Sequence, residues 1–115
     1  MLFLEIEMTR AEFIERLRVW SRNALREAET PEPRSARSWR AQYQVLSALA
    51  AFMEGPGASL TVEEVIAHIR PDREQSKRRW EAATDPMEVA QAAGEVAAYD
   101  LALDVLRPAR PNWTG

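Results

Sequence analysis

Apolar residues recur every three or four positions along most of this chain, which is the spacing that gives an α-helix one buried face. In residues 10–29 the apolar residues that fall on one side of a helix are Phe13, Ile14, Leu17, Trp20, Ala24, Leu25 and Ala28. A second helix is predicted over residues 36–54, which has no charged residue between Arg40 and Glu54 and is apolar on two flanks. Such a helix is expected at the centre of a bundle, and the alternative is a hydrophobic face that awaits a partner.

Capping residues predict where several helices begin. Thr9, Thr61 and Asp72 each stand three residues before a Glu or a Gln, which is the spacing of a capping box. In that motif the cap side chain accepts a hydrogen bond from a free amide of the first turn. Asp85-Pro86 marks a fourth start, because proline at the first helical position loses no hydrogen bond.

Prolines predict where the helices are interrupted. Pro31 and Pro33 indicate a loop after the first helix, since proline removes an amide donor and restricts the residue before it. The same argument predicts a turn at residues 70–72, around Pro71. The chain should therefore form a short helix over residues 62–69 and a separate helix over residues 73–83.

The last predicted helix, residues 86–106, carries two apolar strips. The first strip consists of Met87, Ala90, Gly94, Ala97, Leu101 and Val105. The second consists of Val89, Val96, Tyr99 and Leu103. Small residues in the first strip would let another helix approach closely. Asp100 and Asp104 lie between the strips. Either they form a solvated surface with an Asp104–Arg107 pair, or they are partly buried and need Arg107 or an arginine of the first two helices.

Length and composition indicate one domain. A chain of 115 residues with 46% hydrophobic and 29% charged residues can build one packed core and is too short for two. Residues 1–8 are predicted as a lead-in with a short extended segment, and residues 108–115 as a tail that is either mobile or strapped across the bundle. The predicted fold class is all-α, a single-domain bundle of four to five helices spanning residues 1–115.

Charge and residue content exclude several classes of function. A net charge of −3 argues against a general preference for nucleic acid or anionic lipid. The absence of cysteine excludes disulfides and thiolate metal sites, and no segment is apolar enough to span a membrane, so a cytoplasmic location is expected. His68 is the only histidine and cannot form a zinc site alone. We expect no enzyme activity, no cofactor and no metal.

Two sets of residues are candidate contacts with a protein partner of unknown identity. Arginine and tryptophan are enriched where proteins bind one another. Arginines surround Trp39 at the start of the second helix, and the second apolar strip of the last helix could support self-association. The candidate contacts are Arg34, Arg37, Arg40, Val96, Tyr99 and Leu103.

The alternative function is that of a nucleic-acid-binding regulator. Residues 61–83 have the outline of a helix-turn-helix, with a basic second helix whose side chains could reach phosphates and base edges. The candidate nucleic-acid contacts are Arg73, Gln75, Lys77, Arg78 and Arg79. Only Trp80 and two alanines could dock that helix, which favours a protein partner over nucleic acid.

One stretch resembles a known group of proteins. It contains Arg79-Trp80-Glu81-Ala82-Ala83, an Asp85-Pro86-Met87-Glu88 helix start, Gly94-Glu95-Val96-Ala97-Ala98 and the leucines at positions 103 and 106. Residues 79–106 are similar to a helical hairpin of small accessory proteins from tailed phages and prophages. The resemblance implies a role in virion assembly or in binding a host component.

Overall fold

Four α-helices make up the described part of this protein. The computed structural model describes residues 8–107 and Trp113, and it contains no strand there. The helices are α1 (Arg10–Glu27), α2 (Pro33–Glu54), α3 (Val62–Ala82) and α4 (Pro86–Leu106). The predicted all-α bundle is confirmed, with four helices. The lead-in before Met8 and most of the tail lie outside the described residues.

Local capping chemistry accounts for two of the helix starts. At α1, Thr9 Oγ1 accepts from the Glu12 amide at 3.1 Å, and Glu12 Oε1 accepts from the Thr9 amide at 2.9 Å. Thr61 and Glu64 form the same box at α3. Both predicted boxes are confirmed, whereas Asp85 precedes α4 without making a side-chain cap hydrogen bond.

The second helix begins three residues earlier than predicted. Pro33 occupies its first turn, and the N-cap is Glu32, whose carboxylate accepts hydrogen bonds from the amides of Arg34 and Ser35. These backbone hydrogen bonds lower the pKa of Glu32. Proline is well suited to the first turn because its fixed φ angle is already helical.

The predicted turn at residues 70–72 is wrong, because α3 runs without a break through Pro71. A proline inside a helix costs about 3 kcal/mol, so tertiary contacts must compensate. Ile69 is buried in the core before Pro71, and Ser76 is buried after it. The Asp72 cap is therefore absent, and residues 61–83 do not form a helix-turn-helix. Nucleic-acid binding itself stays a prediction.

The helices pack in the order α1, α2, α4, α3, with α2 and α4 as the central pair. The two central helices run in the same direction, because their first turns line a common groove. They approach closely at Gly94, where an added Cβ would lie 2.3 Å from the carbonyl oxygen of Ser38. The prediction that α2 is central and that small residues of the last helix permit close approach is confirmed.

The largest buried side chains gather at one end of the bundle, where α1 and α3 begin and α2 and α4 end. All four helices contribute to this core. Its largest members are Phe13, Leu17, Leu46, Met53, Val65, Ile69 and Leu106. At the opposite end the buried residues are small. They include Ala24, Ala41, Ser76 and Ala92.

Trp113 closes the large-residue end of the core. Its side chain is 4% exposed, and its ring lies 5.3 Å from the ring of Phe13. Trp113 Nε1 donates to the carbonyl oxygen of Leu60 at 3.2 Å. The Arg10 guanidinium lies over the Trp113 ring, with Cζ 5.3 Å from the ring centroid, and also donates to the carbonyl oxygens of Gly57 and Leu60. At this position the tail is packed into the bundle.

The second apolar strip of the last predicted helix is largely covered inside the bundle. Val96 is 4% exposed, and Tyr99 and Leu103 are partly buried against the core. Leu103 lines a small cavity together with Ile66 of α3. Val96 is therefore not available as a surface contact, which corrects that part of the prediction. Self-association through this strip stays a prediction.

Candidate functional site

A groove opens at the end of the bundle where the buried side chains are small. Its volume is about 430 Å³, which lies within the range of ligand-binding clefts. Residues from three helices and from the α3–α4 connection line it. They are Arg37, Arg79, Ala82, Ala83, Glu88, Gln91 and Ala92. We call it the α2–α3–α4 groove.

Alanines give this groove an apolar lining and leave the space open. Ala82 ends α3, and Ala83 turns the chain into an extended conformation with φ −72° and ψ 139°. Ala92 lies almost fully buried on α4. Because none of these side chains extends beyond Cβ, the gap between α2 and α3 stays unfilled at this end.

Charged side chains stand at the edges of the groove. Arg37 on α2 is exposed and forms no salt bridge with any residue in the described part of the chain. Arg79 on α3 has 55% of its side chain exposed. Glu88 on α4 is exposed as well. Two arginines from different helices therefore line this space together with the alanines.

Arg79 is held in place by a hydrogen-bonded network around Glu95. The Glu95 side chain is only 16% exposed, and Oε1 accepts from Ser76 Oγ at 2.8 Å and from Arg79 Nη2. Glu95 Oε2 accepts from Gln91 Nε2 at 2.8 Å. Ser76 is fully buried, so its hydroxyl group needs this partner. The network fixes one wall of the groove to α4.

The same network lowers the pKa of Glu95. Burial alone raises the pKa, but hydrogen bonds from Gln91, Ser76 and Arg79 together outweigh it and bring the pKa below the ordinary value of 4.5. The carboxylate is therefore ionised at neutral pH and remains so in mildly acidic solution.

This shift predicts a specific loss of stability in acid. When the folded-state pKa is depressed, the unfolded state binds more protons, so the stabilisation is complete above the unfolded-state pKa and is lost as pH falls through the folded-state value. Glu95→Gln is expected to lower the free energy of unfolding by about 1 kcal/mol at pH 7 and to flatten its fall below about pH 4.5. Urea unfolding from pH 7 to pH 3 measures both effects. Glu29→Gln removes a carboxylate at an exposed position and serves as the control, with an expected change of about 0.5 kcal/mol or less at pH 7. A Glu95→Gln curve that runs parallel to the wild-type curve would contradict the assignment.

A second ion pair joins α3 to α4 further along the bundle. Arg73 Nε donates to Asp100 Oδ1 at 2.6 Å, and Arg73 Nη1 donates to Glu74 at 2.8 Å. The hydrogen bond to Asp100 is the main reason that the pKa of Arg73 is raised. The partner of Asp100 is thus an arginine of α3, rather than Arg107 or an arginine of α1 or α2. Together with the Glu95 network, this pair forms what we call the polar seam.

Asp104 lies at the surface near Arg107, which is one of the two predicted arrangements. Its Oδ1 lies 3.9 Å from Arg107 Nη1, and both side chains are largely exposed. An exposed pair of this kind contributes little to stability.

The structure brings together residues that the sequence analysis had assigned to two different sites. Arg34, Arg37 and Arg40 are all exposed near the start of α2, and Arg37 lines the groove with Arg79. Arg34 lines a neighbouring groove beside Pro86. The arginines of the first candidate set therefore share one end of the bundle with Arg79 of the second.

Among the candidate nucleic-acid contacts, only some face solvent freely. Arg73 and Arg79 bind carboxylates of α4. Gln75 and Arg78 are exposed, and Lys77 is partly buried. The basic character of this segment is therefore divided between the polar seam and the outer surface.

Sequence reasoning missed Gln91 and the groove alanines. Glu88, Gln91 and Glu95 follow one another at intervals of three and four residues, which places polar groups on one face of an otherwise apolar helix. That spacing was the signal available in the sequence. It indicates that one face of α4 makes polar contacts.

No metal centre is found among residues 8–107 and Trp113. No group of three or more His, Asp or Glu side chains there is arranged to hold an ion. The His68 ring stacks on the ring of Phe52, with centroids 3.9 Å apart and an angle of 2°.

Comparison with known proteins gives no significant match to a family model, a curated protein or a solved structure. None of the helices in the described ranges is long and apolar enough to cross a membrane. Inferences about function therefore rest on the groove and its surroundings.

Proposed function

We propose that this protein is a non-enzymatic interaction module that binds a segment of another protein in the α2–α3–α4 groove. The observation that carries the proposal is the open groove itself, lined by alanine and bordered by Arg37 and Arg79. Protein interfaces combine an apolar centre with a polar rim, and arginine is enriched in them.

The surroundings of the groove support the same function. A stable interface buries about 800 Å² on each partner, so the groove would anchor a larger contact. Trp80 follows Arg79 on α3 and is 42% exposed, although large apolar side chains are otherwise mostly buried. Exposed Arg34 and Arg40 extend the surface along α2. Tryptophan and arginine are the residue types that most often dominate binding energy.

The biological setting that we propose comes from the hairpin resemblance of residues 79–106. That segment contains the end of α3, the connection and all of α4, and so includes most of the groove lining. We propose that the partner is a virion component or a host protein, bound during assembly or during infection.

Blocking the groove should abolish partner capture. Ala82→Trp places a large side chain in the groove, and Ala67→Trp adds the same side chain at an exposed position of α3 outside it. We expect tagged wild type and Ala67→Trp to recover the same partner from lysate of the native source, and Ala82→Trp to recover roughly tenfold less, equivalent to about 1.4 kcal/mol.

Nuclease treatment separates this function from the nucleic-acid alternative. A protein partner that survives nuclease and depends on Ala82 supports the proposal. Equal recovery by both tryptophan variants would contradict the groove as the binding site. Recovery of nucleic acid, with loss of all partners after nuclease treatment, would favour the regulator that Arg73, Gln75, Lys77, Arg78 and Arg79 suggested.

A further inference from the structure

We infer that the α2–α3–α4 groove selects an acidic protein segment, in which a carboxylate side chain lies next to small apolar residues. The carboxylate would bind the guanidinium groups of Arg37 and Arg79, and the apolar residues would cover the groove alanines. This inference rests on the proposed function and specifies the chemistry of the partner.

Both arginines that line the groove keep guanidinium donors without a hydrogen-bond partner among the described residues. Arg79 makes both of its hydrogen bonds to described residues through Nη2, to Ser76 and Glu95, and its Nε and Nη1 make none. Arg37 makes no side-chain hydrogen bond within the described part of the chain. Guanidinium donors match the two oxygens of a carboxylate in geometry and charge.

The local balance of charge also favours an acidic segment. Arg79 is neutralised in part by Glu95, but Arg34, Arg37 and Arg40 form no salt bridge with a described residue. Among the described residues, Glu88 is the only exposed carboxylate that lines the groove. Apart from Glu32, the α2 cap whose negative charge lies near Arg34, the α2 edge carries only positive charge, on a protein whose net charge is −3. An acidic segment would be drawn to that edge in particular.

The lining of the groove favours a protein segment over nucleic acid. Ala82 and Ala83 offer an apolar contact that a phosphate backbone cannot use. Glu88 in the lining and Asp85 at the start of α4 would repel phosphates. A peptide can place its carboxylate near Arg37 and its apolar atoms over the alanines, away from both acidic groups.

A displayed library of random peptides tests the inference without knowledge of the natural partner. Selections are run in parallel on the wild type, on Arg37→Glu and on Arg16→Glu. Arg16 is an exposed α1 residue with no salt bridge to a described residue, so its charge reversal changes net charge without touching the groove. We expect the wild type and Arg16→Glu to enrich Asp and Glu beside small apolar residues. Arg37→Glu should lose this preference or select Lys and Arg.

Binding of individual selected peptides completes the test. We expect their affinity to fall at least tenfold in Arg37→Glu and in Ala82→Trp, and to be unchanged in Arg16→Glu and Ala67→Trp. Peptides that lose binding in Ala82→Trp but show no acidic preference would overturn the inference and leave the proposed function standing.

Two further kinds of result would contradict the groove as a protein-binding site or change its ligand. Selected peptides that bind Ala82→Trp as well as wild type, or a failure to enrich any peptide, would contradict both the inference and the groove as a protein-binding site. An oligonucleotide that displaces the peptides and loses affinity in Arg37→Glu would replace the acidic segment with nucleic acid as the ligand.

Discussion

Replacing Trp113 with alanine is expected to lower the free energy of unfolding by about 3–5 kcal/mol, the range typical of large aromatic side chains in a core. The indole ring is almost fully buried against Phe13, and it also satisfies the carbonyl oxygen of Leu60. Its loss would leave a cavity beside Phe13 at the large-residue end of the core. Urea unfolding followed by circular dichroism measures the change.

Trp80 provides a matched control for this prediction. Its side chain is 42% exposed, so Trp80→Ala should cost about 1 kcal/mol or less. Trp113→Phe keeps most of the ring and removes the N–H donor, and it should fall between the two alanine variants. Equal losses for Trp113→Ala and Trp80→Ala would contradict the docking of the tail residue into the core.

Gly94→Ala is the second change with a large expected effect, a loss of about 2–3 kcal/mol. At an exposed helical position this substitution would normally stabilise the protein by about 1 kcal/mol. Here the new Cβ would lie 2.3 Å from Ser38 O and 3.0 Å from Ala41 Cβ. Because the closer atom belongs to the backbone of α2, the two central helices would have to separate.

The control for Gly94 is Ala97→Ser, which adds one heavy atom at an exposed position on the same helix. We expect it to change stability by about 0.5 kcal/mol or less. Thermal and urea unfolding of both variants distinguish close packing from a general intolerance of α4 to larger residues. An increase in stability for Gly94→Ala would contradict the close approach of α2 and α4 at this position.

The two ends of the bundle are built from different interactions, which explains where the groove lies. At one end Trp113 and the large aliphatic residues fill the space between all four helices. At the other end, α3 is joined to α4 by the polar seam, and small residues leave space between α2 and α3. The side chain of Arg79 belongs to both the seam and the groove. Glu95 therefore acts on the proposed binding site by positioning Arg79.

The candidate site was only partly predictable from the sequence. Arg37 and Arg79 were both identified as contacts, but they were assigned to separate sites with different partners. Their residue types indicated binding, whereas their common location depends on how α2 and α3 both pack against α4. Val96 was a reasonable surface candidate from its helical position, and the packing of the bundle buries it.

The sequence by itself determined the features that depend on neighbouring residues. The capping boxes at Thr9 and Thr61 and the proline start of α4 are local hydrogen-bonding and steric effects, so the pattern of residues was sufficient to predict them. The apolar flanks of α2 likewise predicted its central place. These interactions involve residues only a few positions apart, or the balance of apolar and polar surface on one helix.

Only the tertiary structure decided the features that join distant residues. Pro71 would end an isolated helix, but contacts on both sides of it hold α3 together against α4. The pairing of Asp100 with Arg73, the burial of Trp113 and the meeting of Arg37 with Arg79 each link segments far apart in the chain. Such contacts are set by how whole helix faces pack, and that packing outweighs local preference wherever its free energy is larger.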